Sequence, residues 1–346
     1  MTAMTLRIRP RRQRGAVGVL SPILLIIFLA IGAMAVDIAH LFVVRNELQN
    51  AADAAALAGA AGLYPANPKP NWSNGVTQGT NAVKLNASDN TKLTGGTVQA
   101  GYWNLTGSPA GMQSQSITPG SNDVPGVQVT VTRSPGNNGG PVSGWLTWVF
   151  NGGAASIQAT AVAVIAAPGS ANPGSLFPVA LNKCLFDLYW NYSTGQPIND
   201  PSTGQPYVID INTSYPPGSM TCASGEWTGF NGPTDASTEK NLVSSGNPTN
   251  ISIGQNINIS TGVKTSVYNA IPSPLPITVT MPVVSPLTPG ASSPVYAFAG
   301  FTITKIVTNG SHSYIEGHFT ANQKVVNSGG GSGTYYGAYV PPRLAN

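Results

Sequence analysis

Ionic side chains are scarce in this chain. Asp, Glu, Lys and Arg make up 8% of its 346 residues, against roughly a quarter in ordinary soluble proteins, which excludes a cytosolic helical protein laced with surface ion pairs. Histidine occurs three times and cysteine twice. With no Cys-x-x-Cys, the sequence offers neither a dithiol redox centre nor a cysteine zinc site. His-Glu-x-x-His, Gly-x-Ser-x-Gly, a P-loop and a helix-opening Gly-x-Gly-x-x-Gly are all missing too, so no enzymatic activity and no cofactor are expected. What is abundant is Gly (40) and Pro (29), beside 41% apolar and 8% aromatic residues. That mixture describes many turns between short strands rather than a disordered chain.

The net charge of +4 is unevenly placed. Arg7, Arg9, Arg11, Arg12 and Arg14 open the chain with no acid among them, and the rest carries 11 basic and 12 acidic residues. No later Lys/Arg stripe interleaved with aromatics appears, so nucleic-acid binding is not expected. Gly15–Val36 holds 22 residues without a charge. As a helix it spans about 33 Å, enough for a hydrocarbon core. The arginines on its N-terminal side place residues 1–14 in the cytoplasm and the remainder outside. A cleaved secretory signal is the rival reading, with Gly32–Ala35 as its small-residue site.

The periodicity continues past the membrane. Leu41, Val44, Leu48, Ala52, Ala55 and Ala58 keep an apolar stripe at spacings of three and four, and the Ala-rich 51–61 stretch favours helix. One helix is therefore expected from about residue 16 to Leu63, stopped by Tyr64-Pro65. Its small-residue face suits close packing, either on its own head domain or on neighbouring helices. As partner-contact residues we single out Asp37, Arg45, Leu48, Gln49, Ala52, Asp53 and Ala56. Asp37 qualifies as an ionisable group at the end of the apolar span, able to pair with Arg45 of a neighbouring helix.

Arg14-Gly15-Ala16-Val17, the apolar span, Val36-Asp37-Ile38 and above all Leu48-Gln49-Asn50-Ala51-Ala52-Asp53-Ala54-Ala55-Ala56-Leu57-Ala58-Gly59 resemble the N-terminal segment of the TadG-like proteins of Tad/Flp pilus assembly. Phe177–Leu181 and Val295–Phe301 more weakly resemble long bacterial members of that group. The resemblance implies a bacterial inner (cytoplasmic) membrane protein associated with pilus biogenesis or a related secretion system. The partners expected are the lipid bilayer, other pilus-assembly or envelope proteins, and further copies of the chain in a homo-oligomer. Two family features are not carried over. Leu20 stands where pilins carry the fifth-position Glu needed for prepilin processing. Asp235-Ala236-Ser237-Thr238-Glu239 ends in Glu where a von Willebrand A-type metal site needs Ser.

The expected fold class is α+β: a long N-terminal transmembrane helix, a pilin-like α+β domain over 72–167, a mainly β domain over 175–327 and a flexible tail over 328–346. Asn67–Asn71 and Pro168–Gly174 are the linkers. Strands are expected at Thr97–Asn104, Val127–Arg133, Ser156–Ala166, Tyr207–Ile211, Ile251–Ile259, Ile277–Val284, Tyr296–Thr304 and Ser313–Thr320, and short helices at Val142–Phe150 and Val263–Ala270. Export to an oxidising compartment makes a Cys184–Cys222 disulfide the expectation, with two buried thiols as the alternative. His312, Tyr314, Glu316 and His318 would share one strand face, but same-face neighbours are nearly 7 Å apart, which favours a solvated face over a metal site. Asp187, Asp200 and Asp210 sit in turn-rich sequence without calcium-loop spacing. A second functional reading is an anchored receptor or adhesin holding a polysaccharide or surface ligand with Trp190, Trp227 or Tyr192.

Overall fold

The computed structural model describes residues 16–64, 70–120, 122–144, 153–212, 214–215, 222–325 and 333–345. The basic segment 1–14, residues 67–69 of the Asn67–Asn71 linker and most of the helix expected at Val142–Phe150 lie outside these. Helix α1 runs Ala16–Leu63, with Pro22 inside it. Its C-terminal half is joined by α2 (Trp72–Val83), whose first turn is capped by the Asn71 side chain accepting from the Asn74 N–H at 3.0 Å. Two glycines on each helix make the contact. A Cβ at Gly59 would stand 3.0 Å from the Gly75 carbonyl oxygen and 2.8 Å from Val127, and one at Gly75 would strike Leu63 at 2.6 Å. The sequence at α2 has poor helix propensity, so tertiary packing rather than local preference holds this helix.

Both helices pack against an antiparallel sheet. After the hairpin β1 (Ala87–Ser88) and β2 (Thr91–Lys92), the sheet strands are β3 (Thr97–Asn104), β4 (Met112–Gln113), β5 (Asp123–Arg133) and β6 (Ile157–Val164). Strand β5 lies between β3 and β6, and β4 forms one edge. The core between helix and sheet is built from Ala51, Ala52, Ala55, Ala56 and Ala60 against Val127, Val129, Val131, Ala161 and Ala163. Val142 pairs with Ala155 as an isolated bridge.

The distal part holds β7 (Val179–Asn182), α3 (Lys183–Tyr189), β8 (Ile209–Ile211), β9 (Gly225–Phe230), α4 (Ala236–Ser245), β10 (Asn256–Ile259), α5 (Thr265–Tyr268), β11 (Ile277–Val284), β12 (Ser292–Val307) and β13 (Tyr314–Phe319). Its strands do more than make a sheet. Strand β12 pairs with β11, β11 with β7, β7 with β9, β9 with β10, and β10 returns to β12. The five close into a barrel, and β13 with β8 extends the wall from the far end of β12. Closure removes sheet edges. Residues alternate along β12 between two cores, with Ala297, Ala299, Phe301 and Ile303 on one side and Phe298 on the other. Cys184 and Cys222 form the disulfide, with Cα atoms 5.9 Å apart.

The expectation of a flexible tail over 328–346 is corrected for its described part. Ala338–Tyr339 pairs in parallel with Gln323–Lys324. Strand β14 (Arg343–Leu344) then joins the proximal sheet beside β6. The Tyr335 and Tyr339 rings pack on Tyr64 at centroid distances of 5.1 and 5.9 Å. Buried aromatic area and a sheet place outweigh the looseness that the Gly-rich approach to Gly333 suggests.

Candidate functional site

Helix α1 passes through two environments. From Leu20 to Val43 its large apolar side chains face outward: Phe28 is 68% exposed, Ile26 66%, Leu29 64% and Phe42 60%. Among the described residues this is the one helix long and apolar enough to cross a membrane. From Val44 onward the inward face is closed, and Val44, Leu48, Ala51, Ala52, Ala55, Ala56, Ala60 and Leu63 are fully buried in the chain's own fold.

This placement revises the partner residues expected from the sequence. Leu48, Ala52 and Ala56 are not available to another protein, because α2 and the sheet already occupy their face. Close packing was the right reading of those small residues, and the partner is intramolecular. Gln49 and Asp53 are engaged as well. The Gln49 side chain donates to the Asp53 carboxylate at 2.7 Å and to the Thr160 carbonyl of β6 at 3.3 Å. Asp37 is 5% exposed, whereas Arg45 is exposed. The outward stripe of the upper helix is instead Val43, Asn46, Asn50 and Ala54.

A polar clamp fastens the hairpin β1–β2 to α1 where the exposed apolar half of the helix ends. His40 Nε2 and Asp89 Oδ1 are 3.0 Å apart, and Arg133 donates to Asp89 Oδ2 at 3.0 Å. The Asp89 backbone N–H donates to Glu47 at 2.7 Å. The hydrogen bond with His40, and then Arg133, hold the Asp89 carboxyl below its ordinary range against the opposing effect of burial. Sequence reasoning missed this cluster, because its members lie 42 to 49 residues from one another across the clamp and leave no local pattern.

The distal part contains further titratable groups. Glu226 is nearly buried, and loss of hydration pushes its carboxyl up to about 7. Glu239 is fully buried and meets Lys264 at 3.0 Å. Lys264 also donates to the Thr234 carbonyl at 2.6 Å and to Ser260. Asp235 caps α4, accepting from the Ser237 and Thr238 N–H groups. The Asp-x-Ser-x-Glu string is therefore a helix start.

The remaining sequence candidates are dispersed. Trp190 and Trp227 are buried in the barrel core, so neither presents a ring to a ligand. Tyr192 is half exposed, and its hydroxyl donates to Asp187, which Lys183 also grips at 2.9 Å. Burial, reinforced by Asp187, pushes the Tyr192 phenol up to about 12. Asp200 closes a turn with Ser202. Asp210 lies opposite Glu316 in the β8–β13 pair. His312 falls in a 3-10 turn, off the strand face that it was expected to share with Tyr314, Glu316 and His318. Among the described residues no group of three His, Cys, Asp or Glu is placed to hold a metal ion.

Two family models match. Residues 15–62 match the family described as Flp pilus-assembly TadE/G-like, and residues 44–163 match the one described as Tad-like Flp pilus-assembly. Together they cover α1, α2 and the proximal sheet through β6. No curated protein and no solved structure matches the chain.

Proposed function

Over residues 15–163 the chain is a TadG-like protein of Tad/Flp pilus assembly, and from that premise we propose a membrane-anchored, non-enzymatic structural or assembly component of such a pilus or a related secretion system. The change of environment along α1 carries this reading: exposed apolar side chains below Val43, and a packed head domain fused to the same helix above. The helix lies in the inner membrane, with the arginine-rich start in the cytoplasm and everything beyond α1's lower half outside. Its partners are other envelope proteins or further copies of itself, reached through surfaces left open by the fold. The stripe Val43, Asn46, Asn50 and Ala54 is the part of the matched segment that remains outward, and it takes over the contact role expected for Ala52 and Ala56.

Affinity purification from native membranes tests the proposal. Ala54→Arg is expected to change stability by no more than about 0.5 kcal/mol, as exposed substitutions do, and to abolish co-purification of envelope partners. Undiminished co-purification from a folded Ala54→Arg protein would remove the stripe from the proposal.

A further inference from the structure

A groove of about 420 Å³ lies between α1 and the start of β6, walled by Ile38, Leu41, Phe42, Arg45, Ile157 and Gln158. Its walls are apolar on the lower helix side, with a guanidinium and a neutral amide above. Its depth relative to the membrane follows from the anchor. The exposed large apolar side chains begin at Leu20, and a hydrocarbon core of roughly 30 Å takes about 20 helical residues from there, which ends the core near Ala39. Arg45 stands six residues beyond Ala39, about 9 Å along the axis. Side chains on a helix lean toward its N-terminus, here toward the bilayer, and a long arginine extends its charge down while its stem lies on apolar surface. The guanidinium thus belongs to the headgroup layer, and Ile38, Leu41 and Phe42 to the layer beneath it.

The charge at this level is uncompensated. Arg45 is exposed and takes part in none of the ion pairs among the described residues. The neighbouring acids on its helix are occupied elsewhere: Glu47 accepts the Asp89 N–H, Asp53 accepts from Gln49, and Asp37 is buried. Gln158 and Ser156, both exposed, add neutral donors beside the groove.

We propose that this groove binds one anionic phospholipid from the outer leaflet of the anchor's own membrane. An acyl chain lies along Ile38, Leu41 and Phe42, and the phosphate meets Arg45. The inference rests on the anchored reading above. A second copy's helix is a poorer occupant, because it would bring another Arg45 to the same depth and set two cations against each other.

The full chain reconstituted in nanodiscs, with phosphatidylglycerol or phosphatidylcholine of identical acyl chains, gives the test. Native mass spectrometry after gentle release counts the retained lipids. Wild type is expected to keep one phosphatidylglycerol in preference to phosphatidylcholine by about fivefold, the effect of one basic residue near an anionic surface. Arg45→Gln should lose the preference, and Arg45→Lys should restore most of it. Equal retention of the two lipids by wild type overturns the proposal, as does an undiminished preference in Arg45→Gln, or a lipid-free dimer with the groove closed. Failure of the chain to enter nanodiscs at all would instead strike the anchor, a separate and visible result.

Discussion

The two folded parts of this molecule fill their interiors with opposite kinds of residue. The proximal core is mostly alanine and valine, packed where a long helix, a second helix and a sheet must approach closely. The distal core is aromatic: Phe186 stacks on Phe319 and leans on Tyr336 at 4.0 and 4.2 Å, and Trp227 meets Tyr268 edge-on at 5.3 Å. Helix separation follows the side chains at the contact, so the proximal part is stable because little stands between its backbones. The barrel has no long element to lean on. It is held by large rings, a closed strand circuit and a crosslink. Small side chains thus bring elements together around α1, and large ones make the distal part self-sufficient.

Substitutions that load one part and spare the other would test this contrast. The largest effect is expected from Ala52→Asp, which places an unpaired carboxylate at a fully buried site and should cost on the order of 3–5 kcal/mol. Thermal melts followed by far- and near-ultraviolet circular dichroism should show the proximal part lost first, with the aromatic distal signal retained. Leu29→Asp, in the exposed half of the same helix, should leave the melt of both parts unchanged while weakening membrane partitioning. A single joint melt of Ala52→Asp would mean that the two parts share one cooperative unit.

Next in size is the disulfide, which closes a loop over a sequence separation of 38. Replacing Cys184 and Cys222 by Ser should cost roughly 4 kcal/mol by loop entropy, seen in urea unfolding as a loss confined to the distal transition.

Proton binding should separate the parts in opposite directions. Folded Glu226 keeps its proton up to about pH 7, whereas in the unfolded chain it releases it near pH 4.3. The stabilisation is complete below that lower value and lost as pH rises to 7, on the order of 3–4 kcal/mol. Guanidinium midpoints of the distal transition should therefore fall between pH 5 and pH 8, and Glu226→Gln should flatten the dependence. Asp89 behaves inversely. Its carboxyl is held low, so the clamp's contribution is present above the usual carboxylate range and is lost on acidification through its lowered value.

Much of the fold could be read from the sequence where one local signal dominated. Charge-free length and alanine content located α1 from Ala16 to Leu63, and apolar β-favouring runs located β3 and β11 to the residue. Helix α2 escaped because Gly75 and Gly79 weaken its propensity, and they are there for the approach to α1. The expected strand Ile251–Ile259 divides around Gly254, whose φ of +83° makes a turn. Barrel closure was illegible, since apolar runs announce buried strands but not their neighbours. The same limit applied to the site. Ala52 and Ala56 advertised a close contact without saying with what, and the His40–Asp89–Arg133 clamp depends wholly on distant pairing.

The barrel strands all lie between β6 and β14 in sequence, and those two are adjacent in the proximal sheet. Ile157 borders α1 at Arg45 and Thr160 meets Gln49 higher up, so β6 runs away from the exposed apolar half of α1 and antiparallel β14 returns toward it. The chain thus leaves for the barrel and comes back at the same end of the sheet. A tension applied to the barrel would arrive along both strands in one direction and pass through the eight-residue register of β5 and β6 into α1. Those hydrogen bonds would be loaded in shear, all together, instead of being unzipped in succession. In the proposed assembly role, the insertion makes the barrel a handle with two roots.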